Sequence, residues 1–387
     1  MATPLKDIYS ADYLERVTAL AERALPAACG YEQLRGLADR LAPLAMKARA
    51  ELIADALCGP WPAPPDRLAL IDGLLEATPL EPGAPSMTAA PAGRGAPLRG
   101  FDLWPVAIIA ERLGPAHPDA VLARLPAITC RFTAEFAIRP VLLTHPERTF
   151  ARLHEWVEDP DERVRRLVSE GTRTRLPWGQ RLTPLIIDPS PALPLLERLR
   201  DDPSEFVRRS VANHLNDLSR DHPALVLGIS ERWLRGASDD RQRLVRHALR
   251  TLVKAGDPTA LRLVGADDRA PDVTRSAIGP ATVRVGEPIE LSVTVANPGN
   301  NPMRVVLDYA IHFVRARGDA GRKVFKGATI DLAPGEERTV RRAHSFRPIT
   351  TRRYHAGQHR VDWLANGQVV ASHAVTLTLQ GTLQGTQ

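Results

Sequence analysis

The sequence predicts two domains of different class: an all-α solenoid of HEAT-like repeats over residues 1–268, then an all-β immunoglobulin-like sandwich over 274–381. Three observations carry this expectation. The phrase Val164-Arg165-Arg166-Leu167-Val168-Ser169-Glu170 returns 43 residues later as Val207-Arg208-Arg209-Ser210-Val211-Ala212-Asn213, with a looser echo after a further 38 at Val245-Arg246-His247-Ala248-Leu249. A period near 40 residues is that of stacked helical pairs. An acidic turn marked by Pro or Ser precedes each copy: Asp159-Pro160-Asp161, Asp202-Pro203-Ser204 and Ser238-Asp239-Asp240. Beyond Asp267-Asp268 the apolar spacing changes, and Ile289-Glu290-Leu291-Ser292-Val293-Thr294-Val295 alternates as a half-buried strand does.

The elements follow in order. Residues 9–28 read as a helix because Leu14, Val17, Leu20, Ala21 and Ala24 fall at three- and four-residue intervals. Further helices are expected over about 32–45, 47–58 and 65–78. The stretch 79–99 carries Pro79, Pro82, Pro85, Pro91 and Pro97 and reads as a surface loop within the helical region. Helices resume at Phe101 and run to about 265. Their turns are marked by Pro after Asp, His or Gly, which is N-cap chemistry with Pro in the first turn. Glu135 is expected on a helix that stops near Arg139, with Pro140 starting the next. Val207, Val211 and Leu215 form a column facing the interior, with the arginines on another face. Asp267–Asp272 reads as a linker. Strands are expected at 289–295, 305–309, 323–325, 328–332, 338–344, 358–363 and 369–379, separated by turns such as Asn297-Pro298-Gly299-Asn300 and Ala365-Asn366-Gly367.

The totals narrow the function. Of 387 residues, 44% are hydrophobic and 25% charged, which excludes a disordered chain. The net charge of +6 is modest, but its arginines bunch at 163–175, 208–209 and 241–250, as in a polyanion-binding surface. The three cysteines, Cys29, Cys58 and Cys130, lie far apart among apolar residues and read as reduced core residues of a cytoplasmic protein. No Cys/His spacing suits a metal, and no apolar run is long enough to cross a membrane. There is no Gly-rich phosphate loop and no Gly-x-Ser-x-Gly, so no cofactor or activated serine is expected. Any chemistry rests on carboxylates, arginines and tryptophans, an inventory suited to a cationic transition state.

Within that inventory Arg166 and Glu170, four apart, share a helix face. The aligned pair is Arg209 and Asn213, with Asp217 one turn further on. Two readings stand: an intrahelical ion pair on a solvated face, or a cleft lined by arginine and one or two carboxylates. Trp156 and Trp178 lie near turns in the same neighbourhood, and Pro177-Trp178-Gly179 favours a surface aromatic for Trp178. Glu135, set among apolar neighbours, is either a structural acceptor or a second carboxylate of the cleft.

The runs Phe132–Leu143, His154-Glu155-Trp156, Val164–Arg175 with Leu176-Pro177-Trp178, and Val207–Asp217 resemble the DNA alkylation-repair glycosylases of the AlkC and AlkD superfamily, above all the AlkC branch with its C-terminal immunoglobulin-like domain. The resemblance implies a monofunctional glycosylase. It would release cationic N3-alkylated bases, chiefly 3-methyladenine and, in AlkC members, 3-methylcytosine, without flipping the lesion into a deep pocket. It assigns Glu135, Glu170 and Asp217 as active-site carboxylates, Trp178 as their aromatic, and Arg166 and Arg173 as phosphate contacts. Arg139, Arg175, Arg209, Asn213 and His247 are expected to extend the DNA-contacting rows. In the β-domain Arg322, Lys323 and Lys326, beside Arg315 and Arg317, suggest a hairpin that closes a clamp. The implied partner is double-stranded DNA with alkylated bases, bound by a monomer. The competing reading is a non-catalytic HEAT-repeat scaffold binding DNA or protein.

Overall fold

Each repeat begins where its acidic turn ends. The computed structural model describes residues 5–26, 31–61, 63–80, 96–314, 316, 320–349 and 352–379. Cys29, most of the 79–99 stretch, Arg315 and Arg317 lie outside them. In the first repeat the Asp161 carboxylate accepts from the Arg163 backbone N–H and caps the helix Glu162–Gly171. In the second, the helix Glu205–Leu218 starts after Ser204. The first arginine of each phrase folds back on its own turn. Arg165 Nη1 donates to the carbonyls of Asp159 and Pro160, and Arg208 Nη1 to those of Asp202 and Pro203. Arg165 also grips the Asp202 carboxylate with two bonds, at 2.7 and 3.0 Å, tying the first repeat to the second. Val164, Leu167 and Val168 on one helix, and Val207, Val211 and Leu215 on the other, are buried where the two helices pack together.

The chain divides into two compact units, 1–221 and 222–387. The helical region of the first unit departs from expectation in two places. Residues 32–45 form two short helices, Glu32–Arg35 and Ala38–Leu41, broken at Gly36, where glycine's backbone freedom disfavours helix. Glu135 lies in a turn ahead of the helix Ile138–Thr144, so the chain bends before Arg139 and not after it. Pro140 sits in that helix's first turn, where a missing N–H costs nothing.

The second unit holds the helices Pro223–Leu234, Asp239–Ala248, Arg250–Ala255 and Pro258–Leu263, followed by eight strands. These are β1 (Asp272–Gly279), β2 (Thr282–Arg284), β3 (Pro288–Ala296), β4 (Met303–Val314), β5 (Ala320–Leu332), β6 (Glu337–Ser345), β7 (Gly357–Ala365) and β8 (Gln368–Thr378). One sheet has the order β1-β3-β6, the other β2-β8-β7-β4-β5, and among the described strands only β2 and β8 pair in parallel. Their inner faces bury one core that includes Ile289, Leu291, Val293, Ile311, Trp363 and Phe346. The helix Arg250–Ala255 packs on β5, and Leu261, Ala266 and Val306 share a small cluster, so these last helices group with the sandwich. The stretch from Asp272, read as the end of a linker, is strand β1. The two short strands expected at 323–325 and 328–332 are one strand: the register shifts between Leu307 and Asp308 opposite Gly327, where a Cβ would stand 2.4 Å from the Leu307 carbonyl.

Candidate active site

The three carboxylates of the first unit, far apart in sequence, are joined by two arginines into one chain of ion pairs. Arg166 Nη1 donates to Glu135 Oε2 at 3.1 Å, and its Nη2 lies 3.5 Å from Glu170 Oε1. Arg173 Nη1 donates to Glu170 Oε1 at 2.6 Å, and its Nε to Asp217 Oδ2 at 2.9 Å. Glu135 is supplied by the turn before Ile138–Thr144, Glu170 by the end of the first-repeat helix, and Asp217 by the end of the second. All three are buried, at 8, 5 and 5% exposure, so each presents only an edge. The Ile138 side chain packs directly on Gly171, where a Cβ would stand 2.7 Å from its Cγ2.

The three carboxylates are not electrostatically alike. Burial pushes the Glu135 carboxyl above its usual value, and Arg166 alone does not offset that. Burial likewise raises Asp217 against the pull of Arg173. Burial would raise Glu170 too, but there the Arg166 and Arg173 guanidiniums and the Ser210 hydroxyl, donating to Oε2 at 2.6 Å, hold the carboxyl below its ordinary value. Of the three carboxylates, Glu170 alone is shifted down by its surroundings. Carboxylate oxygens carry two lone pairs each, so Glu170 retains acceptor capacity beyond these three donors.

Trp178 is 67% exposed and held at φ 63°, a left-handed conformation costly for a bulky residue. Its ring stacks on Trp104 at 6.1 Å and 13°, and Trp104 in turn stacks on Phe136, the neighbour of Glu135. The surface aromatic is thus tied through a buried one to the carboxylate chain. Trp156, by contrast, is buried.

The expected DNA contacts fall into distinct groups. Arg139 is a correction: it is fully buried, with Nε donating to the Gln180 carbonyl at 2.5 Å and Nη1 to that of Gly171 at 3.1 Å. It clamps the segment carrying Trp178 to the first-repeat helix, and burial lowers its guanidinium to about 10. Arg173 is also mostly buried, and two of its nitrogens are committed to Glu170 and Asp217, so it holds carboxylates where a phosphate contact was expected. Arg166 lies between Glu135 and Glu170, with its guanidinium 4.7 Å from the centre of the Phe206 ring. Arg175 pairs with Asp221, and exposed Arg209 with Glu205 on its own helix. Asn213 is half-buried, while His247, Arg322, Lys323 and Lys326, all of the second unit, are exposed. Cys58 and Cys130 are free and half-buried, not core; burial pushes the Cys130 thiol up to about 12.

Sequence reasoning missed Ser210, Trp104 and Phe206. For Ser210 a signal existed: the first copy has Leu167 at the aligned position, and a hydroxyl replacing a core leucine calls for a polar partner. Trp104 had no comparable signal. Among the described residues no group of His, Cys, Asp and Glu could hold a metal ion, and no helix is long and apolar enough to cross a membrane.

Known proteins share this architecture. Residues 272–379 match the family model described as "Uncharacterised protein YhaZ, C-terminal Ig-like domain". The protein YhaZ of Bacillus subtilis (strain 168) is 40% identical over 263 residues, which span 67% of this chain and 72% of YhaZ. The structure of Pseudomonas fluorescens alkylpurine DNA glycosylase AlkC, bound to DNA containing an abasic site analog, is 32% identical. It superposes with a TM-score of 0.86 over 97% of this chain and 100% of that one. With its HEAT-like helical region and C-terminal immunoglobulin-like domain, the chain belongs to the alkylpurine DNA glycosylase family of AlkC and its relative YhaZ.

Proposed function

We propose that the protein is a monofunctional DNA glycosylase that hydrolyses the N-glycosidic bond of cationic N3-alkylated bases, 3-methyladenine and 3-methylcytosine, and leaves an abasic site. The observation that carries this reading is that Glu170 alone of the linked carboxylates has its carboxyl held below its ordinary value, by Arg166, Arg173 and Ser210. Alkylation at N3 already charges the base, so it departs without a proton donor. The sugar it leaves is oxocarbenium-like. A charged carboxylate at C1′ stabilises that sugar and orients the attacking water. Glu170 takes this role. Glu135, opposite Arg166, keeps the guanidinium in place, and Asp217 assists with water or lesion. Exposed Trp178 lies against the deoxyribose or the lesion. No lysine belongs to the carboxylate chain, so no Schiff base forms and strand cleavage does not follow.

Affinity comes from phosphate contacts by Arg166, Arg175, Arg209, Asn213 and His247, with Arg322, Lys323 and Lys326 gripping DNA from the β-domain, and falls steeply with salt. The test is incubation of the purified protein with methylated double-stranded DNA and chromatography of the released bases. Wild type releases 3-methyladenine; Glu170→Gln, still folded by circular dichroism, releases it at least about 100-fold more slowly, a loss of about 2.7 kcal/mol of transition-state stabilisation. Absence of base release by the wild type would leave the scaffold reading in its place.

A further inference from the structure

The second unit contains a cavity of about 310 Å³ whose lining combines cationic and apolar side chains. Arg246 enters it from the helix Asp239–Ala248, and Arg250 and Lys254, four apart, from the helix Arg250–Ala255. Arg304 of β4 and Lys326 of β5 face them from the sheet. The single carboxylate in the lining is Asp308, which accepts from the Gly327 N–H at 3.1 Å at the bulge between the two strands. Arg304 is paired with Asp331, which lies outside the lining. Five cations and one carboxylate thus line one small hollow. Like charges so gathered repel at a cost that an anion between them removes. The remaining wall is apolar: Val253, Val264, Val306 and Ala328.

We propose that this cavity binds the phosphate group of a nucleotide, with the cations holding the phosphate and the valine wall covering the base or sugar. The volume is at the lower end for small-ligand sites, which fits one nucleotide unit and not a duplex. Arginine forks and lysine point charges are the side chains that bind phosphate. The nucleotide comes either free or as one unit of a DNA strand; both present the same phosphate chemistry. The inference does not depend on the carboxylate chain of the first unit.

The test uses the full-length protein at low ionic strength. Calorimetric titration is made with inorganic phosphate, with deoxyadenosine 5′-monophosphate, and with an undamaged short DNA duplex. The variants are Arg246→Gln/Lys254→Gln, and Arg275→Gln/Arg284→Gln as a control that removes the same charge from exposed strand positions outside the cavity. Wild type binds the mononucleotide more tightly than inorganic phosphate. The cavity variant weakens nucleotide binding at least tenfold at unchanged melting temperature, and the control does not. Loss of mononucleotide binding alone assigns the free ligand. Parallel loss of duplex affinity, with a shallower salt dependence, assigns a DNA strand. If neither mononucleotide nor duplex responds to the cavity variant more than to the control, the proposal is overturned.

Discussion

The two closest copies of the repeated phrase use the same Arg-Arg pair for different ends. In both, the first arginine, Arg165 or Arg208, ties down its own turn by donating to two carbonyls. The second arginine diverges. Arg166 is held between Glu135 and Glu170 and packs on Phe206, whereas Arg209 is exposed and paired only along its own helix with Glu205. The motif builds the scaffold in both copies; the site forms where the neighbours of the motif are acidic. The first copy ends in Glu170-Gly171 where the second has Asn213-His214, and the glycine admits the close approach of Ile138.

The largest break in this comparison is expected from the second arginines. Arg166→Ala leaves Glu135 buried without its cation, at a cost of about 3 kcal/mol. Arg209→Ala costs at most about 0.5 kcal/mol. Urea unfolding of both variants checks the difference; equal midpoints would mean that Arg166 is only a surface arginine. The first arginines should differ less. Arg165→Ala removes the turn bonds and the pair with Asp202, about 2–3 kcal/mol, and the loss of the two turn bonds in Arg208→Ala costs about 1 kcal/mol.

The Gly171/His214 exchange sharpens the comparison through pH. His214 is fully buried, and burial, aided by Arg173, lowers its pKa from 6.5 to about 3. A group depressed in the folded state contributes stability above its unfolded pKa and loses it as pH falls towards the folded value. Between pH 6.5 and 4.5 the wild type therefore loses stability with acid, and His214→Leu shallows that slope by up to about 1.4 kcal/mol per pH unit. His344, lowered to about 4 by burial in the β-sandwich, gives the same sign and is unaffected by the change. The carboxylates act in opposite directions: Glu135 and Asp217 favour the folded state when protonated, and Glu170 when ionised. Unfolding free energies across this range, measured for both proteins, decide whether the slope depends on His214.

The smallest stability effect is expected at Trp178, which follows the first-copy helix. Trp178→Gly loses one ring stack, about 1 kcal/mol, and regains about as much by relieving the positive φ. Melting temperature should barely move while base release falls about tenfold or more. A large drop in melting temperature would make Trp178 a structural residue.

Local chemistry and periodicity were enough to predict the class of both regions: the recurring phrase, its Asp-Pro turns, and the alternation that begins beyond the last helix. These signals survive in sequence because capping and amphipathic spacing act over a few residues. Glu170 and its i−4 arginine were legible for the same reason. What only tertiary structure decided was the company each side chain keeps. Glu135 reaches Arg166 across 31 positions and Ser210 reaches Glu170 across 40, while Arg139 is consumed inside the fold. A carboxylate's charge state depends on the balance between burial and the cations packed around it. That balance is set by which helices meet, and no spacing along the chain encodes it.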